Sequence, residues 1–389
     1  LYANPLSRSI ASTYLGRYLL FNRPTSRDQG WLPQRGLTPS PAPIALASAS
    51  KAAALDQLSL AVHPNGPRLA LPTLLTTTGT TAFVVLVDGR LVWEHYANGG
   101  RPDRPDRCFS VTKSIASCLV GLATGSGAVD SLSTPIGKWL PDLRDSRVRE
   151  LTLAHLLEME SGIRFIEGVL PWNDEPRTYY AVDLRRRLLA RTIADPPGAF
   201  FHYNDWHPLL VSLLLERATK TSVTDWLQTR LWNPLGAERP ASMMVDSIGD
   251  DGVDHLESGL TAAAHDLAKF GQLYLQQGIW QGRRLLPEGW VESSTSPDGV
   301  RGDSEWFRYY RDRPWGRFLA TGRIYYKHFW WGHRIDANRH DFFAMGVLGQ
   351  HIYVSPDTRA VVVRLSNRFP RGVWWAPLLR KVAETAAGS

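Results

Sequence analysis

Residues 81–127 read TAFVVLVDGRLVWEHYANGGRPDRPDRCFSVTKSIASCLVGLATGSG, and this stretch decides the fold. Its first part is two β-rich runs around Asp88-Gly89, a dipeptide that supplies the positive φ values of a two-residue hairpin. After the polar turn RPDRPDRC comes an apolar helix that opens near Ser110 and is closed by glycines. Downstream, from about 130 to 260, LTLAHLLEMES, YYAVDLRRRLLARTIA and WHPLLVSLLLERATK space their apolar residues as helices do, with long loops between. HDLAKFGQLYLQQG predicts a further helix, with Asp266 near its start and Gly278 past its end. The segments IYYKHFWWGHRI, HDFFAMGVLG, QHIYVSP and RAVVVRLSN predict antiparallel strands, and WWAPLLRKVAETAA a closing helix. Upstream, residues 1 to 70 are rich in Pro, Ser and Ala and predict an extended arm around the body.

The order hairpin, helix, helical block, strands, helix implies that the last strands complete the sheet begun by the first hairpin. The expectation is an α+β fold, an antiparallel sheet flanked by helices with a mainly helical subdomain inserted. Its boundaries would be 1–70 for the arm, 71–125 with 265–389 for the sheet domain, and 126–264 for the helical subdomain.

Bulk properties narrow the function. Of 389 residues 43% are hydrophobic, ample for a large core, and 21% are charged, so the chain is globular. The formal net charge of +7 invites a nucleic-acid reading, but the arginines are scattered among Asp and Glu and form no basic recognition element. No nucleic-acid partner is expected. Cys108 and Cys118 are the only cysteines, too few for a disulfide framework, and no Cys/His spacing suggests a metal. Neither a metal nor a cofactor is expected. No apolar run is long enough to cross a bilayer.

The chemistry centres on Ser110-Val111-Thr112-Lys113. A hydroxyl needs a base within hydrogen-bond reach to become a nucleophile, and residues three apart on a helix face the same side. Burial and neighbouring cations would lower the lysine pKa enough for proton transfer. The helix N-terminus adds a dipole and a backbone N–H for a developing oxyanion. Ser48-Ala49-Ser50-Lys51 fits the same pattern but lies in Ala/Pro-rich coil, with no strand before it. His155, His202, His207 and His265 invite a Ser-His-Asp reading, yet no Gly-x-Ser-x-Gly elbow exists. Cys118 and Cys108 read as core residues.

Tyr203-Asn204-Asp205, in front of the apolar helix WHPLLVSLLLE, supplies a second element. With Ser110-x-x-Lys113 before it and GLTAAAHDLAKFGQLYLQQG after it, the chain from about 80 to 380 resembles the serine β-lactamase and penicillin-binding protein superfamily. The resemblance is to its class C-like branch, which includes esterases and 6-aminohexanoate oligomer hydrolases. It implies a β-lactamase-like fold and a serine hydrolase acting through an acyl-enzyme. Ser110 would be the nucleophile, and Lys113 and Tyr203 would share its proton.

Asp205 departs from the family's Asn, so its contact to a substrate amide would differ from the family's, and it could instead orient Lys113. The third family element best matches Ala344–Gln350, where the family's cation is missing. Gly346 would let the strand approach, and Val347 N–H would complete the oxyanion hole with that of Ser110; aligning on Gly349 would make Gln350 the donor. Gly346, Gln350, Asp205 and Phe165 are the expected substrate contacts. Phe165 stands where the 6-aminohexanoate hydrolases carry a substrate-binding tyrosine, which argues against that specific activity.

The loop 171–180 and the aromatic, Arg-rich stretch 304–332 would form the rim. The expected substrate is a small carboxylic ester or amide. The alternatives are a true β-lactamase or D-amino-acid peptidase, with an Arg from 308–334 replacing the cation, or an inactive sensor or scaffold. The resemblance and a start at Leu1 lean towards export, with a membrane tether in a removed N-terminal segment; the sequence itself fixes no compartment.

Overall fold

The computed structural model describes residues 12–21, 25–26, 32–50, 52–62, 66–249, 251–303, 305–310, 312–313, 319, 321–369 and 374–388. Its centre is a seven-stranded antiparallel sheet. The strands are β1 (Thr80–Val87), β2 (Arg90–Tyr96), β3 (Ile324–Lys327), β4 (Trp330–Arg334), β5 (His340–Gly346), β6 (Gln350–Ser355) and β7 (Ala360–Ser366). They lie in the order β3-β4-β5-β6-β7-β1-β2, so the last strands complete the sheet that the first hairpin begins. That hairpin turns at Asp88 (φ 51°) and Gly89 (φ 74°), both left-handed, as the Asp-Gly pair requires.

Both faces of the sheet are covered, and this explains why β7 reads AVVVRLS without alternation and is buried at every residue. Helices α1 (Val111–Gly125) and α3 (Ala264–Leu275) pack on one face, and α4 (Trp375–Ala387) packs on the other. On the α4 face the buried Arg380 guanidinium joins Asp341, Ser355 and Asp357, so a charge inside the fold is fully partnered. Helix α2 (Trp206–Thr219) packs against α1 and ties the helical block to it. A second, four-stranded sheet joins Gln34–Leu37, Ala241–Met244, Leu260–Ala262 and Asp106–Arg107, in that order.

Three local expectations differ from the structure. The leading segment is not simply extended: Tyr14–Phe21 is a helix, and Gln34–Leu37 is a strand paired with Ala241–Met244. The stretch YYAVDLRRRLLARTIA is not one helix, because Ala181 is extended (ψ 152°) and divides Asp174–Tyr180 from Leu184–Leu188. IYYKHFWWGHRI is not one strand but a hairpin, turning at His328 (φ 41°) and Phe329 (φ 65°). No described helix is long and apolar enough to cross a membrane.

Candidate active site

The approach to α1 fixes Ser110. Asp106–Arg107 pairs with Thr261–Ala262, and Cys108 N–H donates to Leu260 O at 2.8 Å, so the chain reaches the helix anchored to a sheet. Phe109 then takes a left-handed conformation (φ 50°), unusual for a bulky residue and costing about 1–3 kcal/mol. The kink puts Ser110 at the N-cap of α1, half-exposed, at the floor of an open cavity of about 270 Å³.

One turn into the helix, Lys113 is buried and its Nζ donates to Ser110 Oγ at 2.8 Å. The same ammonium donates to Glu257 O at 2.8 Å, pairs with Asp205 Oδ1 at 2.8 Å, and lies 4.8 Å from the Tyr203 ring centre. Tyr203 lines the same cavity as Ser110, and its hydroxyl interacts electrostatically with the side chains of Ser110 and Lys113. Alcohol, ammonium and phenol, far apart in the chain, therefore converge.

Electrostatics differ from the sequence expectation at Lys113. Burial alone would lower its pKa, but Asp205, with Tyr203 and Glu257, outweighs burial and the net shift is upward. Lys113 is thus a held cation at rest, and no neighbouring cation lowers its pKa. Burial raises the Tyr203 pKa, opposed by Lys113 and aided by Asp205, so the phenol is neutral. Asp205 is also shifted upward by burial, with Lys113 opposing.

Tyr203 is held from several sides. Its backbone N–H donates to the Tyr310 hydroxyl at 2.8 Å, and that hydroxyl donates to Glu167 at 3.2 Å. The Trp331 ring stacks on the Tyr203 ring at 5.9 Å. The buried Asn204 donates to Ile163 O and accepts the Trp206 N–H, which fixes the turn into α2.

Opposite Ser110, β5 ends at Gly346. A Cβ there would lie 2.5 Å from Cys108 O and 3.1 Å from Ser110 N, so only glycine lets the strand come this close. Val347, the next residue, lines the cavity. The turn that follows is clamped from behind: the buried Arg364 donates to Gly349 O at 2.6 Å and Thr78 O at 3.1 Å.

Phe165 and Asp205 line the cavity as expected. Gln350 does not, and its expected substrate contact is corrected. Its side chain is buried, donating to Ser366 O and accepting from Ser366 N–H, both at 2.8 Å. The rim also differs. Residues 171–180 contribute Pro176, Tyr179, Tyr180 and Glu175, but from a helix rather than a loop. The described residues of 304–332 do not line the cavity; Trp306, Phe307, Tyr310, Tyr326 and Trp331 pack around Phe201, behind Tyr203. Residues 304, 311, 314–318 and 320 of that stretch lie outside the described residues. Of the arginines in 308–334 expected to replace the cation, Arg308 and Arg313 are paired with Asp195 and Glu167. Tyr18 and Ser258 are lining residues that no motif signals. Among the described residues no three His, Cys, Asp or Glu side chains gather as metal ligands would.

Comparison with known proteins agrees with this architecture. The Beta-lactamase family profile matches residues 75–387. This chain belongs to the Beta-lactamase family. A 6-aminohexanoate-dimer hydrolase of Paenarthrobacter ureafaciens is 27% identical over 307 residues, covering 75% of this chain and 74% of that protein. A D-aminopeptidase of Gluconobacter oxydans is 29% identical over 204 residues, covering 48% of this chain and 37% of the relative. Among solved structures, a Bacillus anthracis protein assigned as a 6-aminohexanoate-dimer hydrolase superposes with a TM-score of 0.74 at 20% identity, covering 93% of this chain and 91% of its own. The β-lactamase-like fold is therefore shared, and the named relatives of this family member are hydrolytic enzymes.

Proposed function

We propose that this protein is a serine hydrolase that cleaves a carboxylic ester or small amide through an acyl-enzyme. The observation that carries the reading is Ser110 Oγ, 2.8 Å from the buried Lys113 ammonium, with Tyr203 beside both at the floor of one cavity. In the form of the Lys113–Tyr203 pair that has lost one proton, Ser110 Oγ attacks the carbonyl carbon and its proton passes into that pair. The oxyanion is held by the N–H groups of Ser110 and Val347. Tyr203 then delivers a proton to the leaving oxygen or nitrogen, and the bond to the acyl group breaks. Water attacks the ester on Ser110 by the same route in reverse and releases the acid.

Substrate charge follows from the walls. The described lining residues include two carboxylates, Asp205 and Glu175, and no Lys or Arg; the remainder is largely aromatic and apolar. A substrate carboxylate, such as a β-lactam or peptide terminus carries, would meet like charge without a cation to receive it. A neutral or positively charged ester or amide fits, and two of the relatives are named a 6-aminohexanoate-dimer hydrolase and a D-aminopeptidase.

Intact-mass spectrometry after brief mixing with a short-chain aryl ester, a small amide and a cephalosporin tests the reading. The expected result is an acyl adduct from the ester and the amide, absent in Ser110→Ala. No adduct from any member of the panel would overturn the covalent route, and an adduct from the cephalosporin alone would overturn the substrate class.

A further inference from the structure

The surface around the mouth of the Ser110 cavity is apolar beyond anything the chemistry uses. The helix Tyr14–Phe21 lies on the outer wall: Tyr18 lines the cavity and its hydroxyl donates to Val169 O at 3.0 Å, while the Tyr14 hydroxyl donates to Pro171 O. Its tyrosines face the protein. Leu15 and Leu19, four residues apart on another side, face solvent, 54% and 66% exposed. The segment beneath continues the patch with Ile166, Val169 (74% exposed), Leu170 and Trp172 (61% exposed). Single exposed apolar residues are ordinary, but such a group sharing one rim marks an interaction site.

Charge around the rim points to the occupant. Arg164 is exposed two residues before Ile166. Arg177 is 38% exposed, on the helix Asp174–Tyr180 that packs against Tyr14–Phe21, and Arg187 lies 5.6 Å from the Tyr14 ring. Of the neighbouring carboxylates, Asp183 pairs with Arg187 and Arg186, Asp174 is buried and 4.0 Å from Arg177, Glu167 takes Arg313, and Glu175 faces the cavity. This leaves Arg164 and the outer part of Arg177 as the exposed charge of the rim. Leucines and a tryptophan at one level with arginines beside them fit the boundary between acyl chains and anionic head groups. A second copy or another protein seated on this rim would cover the mouth and shut Ser110 off. A lipid leaflet would cover the rim and supply substrate at once.

We infer that this rim docks on an anionic phospholipid bilayer, from which an amphiphilic ester or amide slides its apolar part into the cavity. The docking stands on the rim alone; only the delivery of substrate rests on the hydrolase reading.

Vesicle flotation of the full chain tests it, with phosphatidylcholine vesicles and with vesicles containing about 30% phosphatidylglycerol. The expected result is flotation with the anionic vesicles, at least about fivefold above the zwitterionic ones, and a roughly tenfold loss in Leu19→Glu/Trp172→Glu. That double variant should turn over a soluble aryl ester within about twofold of wild type, since neither residue lines the cavity. The gentler pair Leu15→Gln/Leu19→Gln should weaken flotation in the same direction. Ser110→Ala should float like wild type, which separates a failed docking idea from a failed catalytic one. Failure to float with either vesicle, or equal flotation by Leu19→Glu/Trp172→Glu, would overturn the inference. So would sedimentation showing self-association that this variant abolishes without any flotation, which would assign the rim to a second copy.

Discussion

Two Ser-x-x-Lys tetrapeptides stand in this chain, and the fold sets them in opposite surroundings. Ser48 is exposed and extended, bridged to Leu91 beside β2, with its own carbonyl taken by Arg90; Lys51 lies outside the described residues. Ser110 caps a buried helix, its lysine one turn away and enclosed by Asp205, Glu257 O and Tyr203. The pattern of letters is the same. What differs is that a helix turns a spacing of three into a contact, and burial turns that contact into a coupled proton network.

The largest expected effect tests this contrast directly. Ser110→Ala should abolish labelling by a fluorophosphonate probe and lower ester turnover by about a thousandfold or more, while Ser48→Ala stays within about twofold. Equal losses in the two would erase the distinction. Next, Gly346→Ala places a Cβ against Cys108 O and Ser110 N, a relationship that the exposed copy has no counterpart for. It should cost about a hundredfold in kcat with little change in KM, because the shift moves oxyanion donors rather than the cavity walls. A loss confined to KM would count against the strand's part in the reaction.

A third test asks what the buried lysine does for the fold. Lys113→Met leaves Asp205 without its cation and should destabilise by about 3 kcal/mol in urea unfolding, at the low end of the range for a buried pair because Asp205 is partly exposed. Lys113→Met/Asp205→Asn should recover most of that stability but no activity. If the double variant is as unstable as the single one, the loss belongs to packing around the lysine stem and not to the orphaned carboxylate.

Much of the sheet was legible because its strands carry long apolar runs and its first turn is Asp-Gly, whose left-handed preference is intrinsic. The turn at His328-Phe329 was not, since a His-Phe pair lacks the Gly that marks such turns and Phe is disfavoured at positive φ. Tertiary contacts hold it: Phe329 N–H donates to Leu157 O, Ser114 Oγ donates to Phe329 O, and His328 pairs with Glu158. The same distinction runs through the site. Ser110, Lys113 and Tyr203 stand at helix starts, where local pattern marks them. Tyr18, Val169 and Ser258 reach the cavity from segments whose positions depend on distant partners, and a clamp such as Arg364 resembles any other strand arginine in the sequence. Gln350 was misplaced for a related reason: its neighbour Gly349 marks a tight turn, but which way the following side chain faces is set by pairing with Ser366.

The smallest of these effects is the most specific to the proton network. Asp205 holds Lys113 in its charged form, and a charged lysine beside a neutral phenol offers no base to Ser110. The competent form has one proton fewer in the pair, so kcat/KM should rise with pH as that proton leaves, the two groups titrating together. Asp205 stabilises the protonated form and therefore pushes this rise to higher pH. Asp205→Asn removes the carboxylate, lowers the pKa of the pair, and should move the acid limb to lower pH by about one unit, roughly a tenfold gain in the competent fraction on that limb. Some of the gain is offset by a less firmly oriented lysine, so the plateau should fall while the limb shifts left. A lower plateau with an unmoved limb would make Asp205 a positioning group alone, and a limb moving to higher pH would reverse the sign of its coupling to Lys113.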